Sequence, residues 1–286
     1  MTASRLPKGS LPLFIPIPRS VVLQAMRPLP LPDLKGFLDE KAAAFNGAAF
    51  IETDPISIAH GFRNKEDREI SGFMTALLAW GQRPVILRNA SNLMLRMDHR
   101  PADFIRHHST AERKSFGDFV HRTFQGADAV YLLKALQRLY VQSGGLENAF
   151  TDAYKASEDM GMTISMVRQQ LLAAGAPKRF YKHIADPMAN SSAKRINMFL
   201  RWMVRRDNNG VDFGIWRKIP MSALYCPLDL HSGRVSRMLG LLSRKQDDWK
   251  AVVELTENLR RLDASDPVKY DFALYGLGIN ENFGVD

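Results

Sequence analysis

Apolar residues recur along most of the chain at spacings of three and four, the period of a helix with one buried face. Leu34, Phe37 and Leu38 open the pattern. Phe73, Ala76, Leu77 and Trp80 continue it up to Gly81, which is placed to end that helix, and Leu132, Leu136 and Leu139 form the next stripe. Three further stripes follow: Ile196, Phe199, Leu200 and Met203; Val235, Met238, Leu239 and Leu242; and Val252, Leu255, Leu259 and Leu262. Asp266-Pro267 reads as another helix start, with an acceptor cap before a first-turn proline. No alternating strand pattern of useful length occurs, so the predicted fold class is all-α.

The ends and the middle differ from this pattern. The first 25 residues carry four prolines, including the run Leu11-Pro-Leu-Phe-Ile-Pro-Ile-Pro18, which excludes a continuous helix or a central strand. Residues 1–32 are read as a flexible leader and 33–286 as the helical domain. Gly144, Gly145, Gly161, Gly175, Pro177 and Pro187 interrupt the region 141–190. That break fits two helical lobes with a cleft between them, and it equally fits one continuous bundle.

Composition narrows the classes. At 45% hydrophobic and 24% charged, the 286 residues have the material for a core, which excludes wholesale disorder. The single cysteine, Cys226, excludes an internal disulfide and any four-cysteine metal or iron–sulfur site, and points to a reducing compartment, expected to be the cytoplasm. No apolar run approaches the roughly 18 residues of a membrane span. A net charge of +9 favours nucleic acid or other anionic partners, although solubility alone explains such a surplus.

Two segments carry candidate chemistry. Asn190-Ser-Ser-Ala-Lys-Arg-Ile-Asn-Met-Phe-Leu-Arg-Trp-Met-Val-Arg-Arg206 places capping residues before an amphipathic helix with Lys194, Arg195, Arg201, Arg205 and Arg206. A helix start with unpaired amides is an anion site, and a first-turn lysine adds a charge or a nucleophilic amine. On this segment alone, a capped helix with a solvated basic face is the simpler reading. The second segment runs from Cys226 through Pro227-Leu-Asp-Leu-His-Ser-Gly-Arg-Val-Ser-Arg-Met-Leu-Gly240. Asp229 there stands before a helix whose first turns hold His231 and Arg234; it is a cap by default and an acid–base group if the lysine comes close.

Asp229-x-His231-x-x-Arg234-Val235-x-x-x-Leu239-Gly240 resembles the aspartate segment of the helix-hairpin-helix DNA glycosylases of the endonuclease III type, and Lys194-x-x-Asn197 resembles their lysine-bearing helix start. The order matches as well. Glu69-Ile-x-x-Phe73-x-x-Ala76-Leu-Leu-Ala-Trp-Gly-Gln82 is similar to an early core helix of that superfamily, and Leu274-Tyr-Gly276 to its terminal one. Phe50-Ile-Glu-Thr-Asp-Pro55, Lys194 to Val204 and Pro227 to His231 resemble more closely a bacterial family of conserved proteins of unknown function in or near the superfamily.

The resemblance implies a two-lobed glycosylase-like fold and a repair-type N-glycosylase with lyase activity on damaged bases in duplex DNA. Lys194 would attack the sugar C1′ of a flipped nucleotide, and Asp229 would orient the amine and stabilise charge on the sugar. Asn190, Ser191 and Ser192 stand where the superfamily has turn glycines; with Arg195, His231, Arg234, Gln82 and Arg83 they are the expected DNA contacts. Duplex DNA is the expected partner of a monomer, with no cofactor and no metal, since His60, His99, His107, His108, His121, His183 and His231 lack ligand spacing. Trp80 is expected in the core, and Trp202 and Trp216 are core residues or base-stacking candidates. The alternative is a non-catalytic module that grips nucleic acid through the basic helix face; a third reading is a helical protein whose basic face meets another protein.

Overall fold

The computed structural model describes residues 30–279, 281 and 283. Most of the expected leader, residues 1–29, therefore lies outside the described residues. The remainder of that expectation needs a correction: helix α1 (Leu31–Phe45) begins at Leu31 rather than near 33, with Pro32 in its first turn. Proline is tolerated there because the first-turn N–H has no intrahelical partner in any case.

The described chain is mostly helical, and its order sets up the site. Short helices α2 (Ala48–Thr53) and α3 (Ile56–His60) lead into α4 (Lys65–Leu78), followed by α5 (Arg83–Leu95), α6 (Pro101–His107) and α7 (Thr110–Lys114). A two-stranded antiparallel ribbon, β1 (Val120–His121) and β2 (Phe124–Gln125), interrupts the helices; it is too short to leave an alternating pattern in the sequence. Then come α8 (Gly126–Ser143), α9 (Leu146–Ser157) and α10 (Met160–Leu172), two 3-10 turns at Lys178–His183 and Pro187–Ala189, and α11 (Lys194–Val204). A loop with one further 3-10 turn leads to α12 (Leu230–Met238), α13 (Trp249–Arg260) and α14 (Tyr270–Ile279).

Helix α11 lies at the centre. Every residue from Ile196 to Val204 is buried, the state expected of a helix surrounded by protein rather than of one with a solvated face. It packs on α4, where the Phe73 and Phe199 rings meet edge to face at 5.2 Å. Trp216, from the loop after α11, packs on Phe199 at 5.3 Å and donates from Nε1 to the buried Glu69 carboxylate at 2.9 Å. Trp202 and Trp216 are both fully buried, so neither is a base-stacking surface. Helix α14 packs against α1 and α12. Gly276 permits the first contact, because a Cβ there would overlap the Phe45 ring.

The interrupted region 141–190 contains a sharp corner and a longer irregular stretch. Gly144 (φ 73°) ends α8 in the left-handed conformation, and Gly145 (φ 131°) starts α9, which folds back on α8. The buried apolar residues on both sides of this region belong to one continuous cluster. Helix α4 stops at Leu78, with Ala79 as its C-cap, so Trp80 falls in the following turn and not on the helical stripe. Likewise α12 ends at Met238, before Leu242. Asp266 makes no cap bond; its carboxylate is taken by Arg205.

Candidate active site

Two helix starts meet at the N-terminal end of α11. The chain enters α11 through two left-handed residues, Asn190 (φ 63°) and Ala193 (φ 47°), and the N-cap Ala193 has no side chain to accept from the first-turn amides. Asn tolerates this conformation better than most residues, whereas Ala is strained in it. The expected capping run is used elsewhere. Asn190 donates to Asp248 at 3.0 Å, Ser191 pairs with Asp248 in an isolated bridge, and the Ser192 carbonyl accepts from Asn197. The consequence is that the first residue of α11, Lys194, projects from an uncapped helix terminus.

Asp229 is the N-cap of α12, as its position after Pro227 suggests. Its Oδ1 accepts from the His231 and Ser232 amides at 2.9 and 3.0 Å. The other oxygen, Oδ2, is 3.3 Å from Lys194 Nζ. One oxygen of the carboxylate thus fixes the helix start and the second holds the amine. The two side chains are 32% and 31% exposed, so a ligand can reach both. Burial opposes ionisation of Asp229, but the Lys194 charge and the Ser232 amide outweigh it and hold the carboxyl below the usual range.

A sign follows for the pH dependence of folding. A depressed folded-state pKa contributes stability that is complete above about pH 4, the unfolded value, and is lost as the pH falls through the folded one. The urea midpoint of Asp229→Asn should therefore fall less than that of the unsubstituted protein between about pH 5 and about pH 3. Equal acid slopes would show that the carboxylate is not ion-paired in solution.

The pair opens into a cavity of about 450 Å³, walled by Asp54, Trp80, Arg83, Met198, His231 and Tyr275. This is within the range of pockets that hold small organic groups, about 300–1,000 Å³. Trp80 is half-buried at the rim, with the exposed Arg122 guanidinium 4.7 Å from its ring; the expectation of a core tryptophan is corrected because α4 ends two residues earlier. Arg83 lies 5.0 Å over the Tyr275 ring. Trp80 Nε1, His231 Nδ1 and Tyr275 Oη are buried without a hydrogen-bond partner among the described residues. Such atoms are unfavourable unless a ligand or solvent meets them. A narrower cleft of about 40 Å³ continues inward past Phe50 to Asp271.

Of the residues expected from sequence, Lys194, Asp229, His231, Arg83 and Arg195 come together at this cavity. Arg195 is not a free cation, since it donates to the Leu77 carbonyl and, at 3.2 Å, to that of His183. Burial pulls its guanidinium down to about 10. Ser191 and Ser192 line a neighbouring groove of about 360 Å³ that shares Lys194 and Arg195 with the cavity. Gln82 is exposed next to Arg83, and Arg234 donates to the Gly278 carbonyl at 3.1 Å, tying α12 to α14.

The basic face of α11 is also corrected. Arg201 and Arg205 are each 3% exposed. Arg201 pairs with Asp212 and Asp271, and Arg205 with Asp207, Asp212 and Asp266. These cations join α11 to α14 and to the loop after α11, and are not presented to a phosphate backbone. Sequence reasoning missed Asp54, Asp271 and Tyr275 as site residues. Asp54 had a local signal of the same kind as Asp229, a carboxylate beside a proline at a helix start, with Oδ1 accepting from the Ile56 amide at 3.0 Å.

Cys226 is fully buried, which pushes its thiol well up and removes it as a nucleophile. Among the described residues no group of three His, Cys, Asp or Glu side chains is arranged to hold a metal, and no helix is long and apolar enough to cross a membrane.

A family model described as "Protein of unknown function (DUF2400)" matches residues 54–280. The chain belongs to this family. No curated protein and no solved structure matches it. The span matched by the DUF2400 family includes Asp54, Arg83, Lys194, Asp229, His231, Asp271 and Tyr275.

Proposed function

We propose that this DUF2400 protein is a DNA glycosylase with Schiff-base lyase activity on damaged bases in duplex DNA. The observation that carries this reading is the Lys194 Nζ to Asp229 Oδ2 contact of 3.3 Å at the mouth of the 450 Å³ cavity. A primary amine beside a carboxylate at the edge of an aromatic-walled pocket is the equipment that attack on a sugar C1′ needs. The base of an extruded nucleotide would enter the cavity, with unstacking costing a few kcal/mol. Trp80 and Tyr275 supply aromatic walls on which the base would rest, beside the Arg83 guanidinium. Asp229 Oδ2 is within reach to take the proton that Lys194 must shed before it attacks, and it then stabilises positive charge on the sugar. The resulting C1′ imine permits strand cleavage by elimination.

The net charge of +9 is consistent with a polyanionic partner and implies binding that weakens steeply with salt. A purely binding role through the α11 basic face loses its main support, because Arg201 and Arg205 are occupied internally. The test is borohydride reduction of the protein on a duplex containing one abasic site. The proposal expects a covalent protein–DNA adduct that depends on borohydride; salt-sensitive binding without an adduct would contradict the lyase assignment.

A further inference from the structure

The cavity holds a second carboxyl in a different setting from Asp229. Asp54 is 7% exposed, with Oδ1 committed to the Ile56 amide and Oδ2 without a hydrogen bond among the described residues. It lines both the main cavity and the inner cleft, together with Lys194 and Asp229. We propose that Asp54 is the general acid that protonates the departing base, and that the substrates are therefore uncharged damaged bases. This assignment rests on the glycosylase reading and deepens it.

Two carboxyls in one site take opposite roles when their surroundings separate them. Burial raises Asp54 above the usual carboxylate range, against the pull of Arg201, Arg83 and Lys194, while Asp229 is held low. Asp271 is the other buried acid nearby, but it is ion-paired to Arg201 and reaches only the inner cleft, whose 40 Å³ is too small for a base. The Arg83 guanidinium, which lines the same cavity, also disfavours a base that already carries a positive charge.

The step balances as follows. The lone pair of neutral Lys194 Nζ forms a bond to C1′ while the glycosidic C1′–N bond breaks and its electron pair leaves on the base. The base takes the proton from Asp54 Oδ2, and the surplus proton on the new secondary amine passes to Asp229. Both carboxyls return to their starting states by exchange with water. A cationic alkylated base needs no such proton, because it departs neutral.

The experiment compares the unsubstituted protein with Asp54→Asn and Asp54→Ser, both of which keep an acceptor for the Ile56 amide. The probes are duplexes carrying uracil, hypoxanthine, 8-oxoguanine or thymine glycol, a duplex carrying 7-methylguanine, and a duplex with an abasic site. Loss of a general acid should slow release of whichever neutral base is a substrate by about 10²–10⁴-fold. Borohydride trapping on the abasic site should fall far less than base release does, since no base departs there. Neutral-base release at the unsubstituted rate in both variants would overturn the role of Asp54 and leave the lyase reading standing. Loss of abasic trapping in both variants would overturn it too, by assigning Asp54 to the fold or to Lys194. An unsubstituted protein that releases only 7-methylguanine, or no base, overturns the substrate class, and one that gives no abasic adduct removes the reading beneath it.

Discussion

Lys194→Ala should lower borohydride-trapped adduct on abasic DNA by at least about 10³-fold, while the variant stays folded and still binds duplex DNA. Lys194 is the first residue of α11 and its side chain is 32% exposed, so truncation removes the amine without opening the core. Its electrostatic contribution to binding is at most one phosphate contact, which would reduce the salt slope by about one. Lys194→Arg separates the two effects. Arginine keeps the charge beside Asp229 but stays protonated and forms no imine, so DNA affinity should be retained and the adduct lost. An adduct of normal yield in either variant would move the nucleophile to another amine.

Arg201→Ala should destabilise the fold by about 3–5 kcal/mol, because it leaves Asp271 buried without a cation and Asp212 with Arg205 alone. Asp212 would lose its 3.2 Å contact with the Arg201 Nε, Asp271 its only hydrogen-bond partner among the described residues, and the Phe272 ring the guanidinium 4.3 Å above it. Asp271 and Tyr275 sit on α14 and Lys194 on α11, so the same ion pair sets how the two walls of the site face each other. In thermal denaturation the midpoint should drop on the order of 10 °C. Arg206→Ala, at the next exposed position beyond this network, should change stability by less than about 0.5 kcal/mol. A similar, small effect of both substitutions would mean that Arg201 faces solvent, and would restore the basic helix face as a DNA-binding surface.

Arg201 shows where reading the sequence stops working. The stripe Ile196, Phe199, Leu200 and Met203 marks a buried face correctly, and Lys194, Arg201, Arg205 and Arg206 then look like the opposite, solvated face. The partners that reverse this, Asp212, Asp266 and Asp271, lie 11 to 70 positions from Arg201 or 61 from Arg205. No local spacing encodes those pairings. Asp229, by contrast, was legible because capping is local: a carboxylate before a helix accepts from amides two and three residues onward. Its approach to Lys194 was not, since only the packing of α11 against its neighbours brings two residues 35 positions apart to 3.3 Å.

The rim was misread for a related reason. Trp80 continues the apolar period of α4 on paper, but the helix ends at Leu78 and Gly81 (φ 104°) turns the chain, leaving the indole half-buried over the cavity. Periodicity specifies a face only while the helix lasts. The all-α class was legible because helical periods dominate the chain, and the two-residue strands are too short to register. Asp54 was within reach of sequence reasoning, but a carboxylate beside Pro55 is equally a turn residue until a cavity is found against it.

The most direct test of the central claim is to trap the protein on an abasic duplex with borohydride, digest the adduct, and locate the modified residue by mass spectrometry. The account predicts a single DNA-derived adduct on the peptide carrying Lys194. An adduct on any other lysine, or none at all under conditions where the duplex is bound, would contradict it.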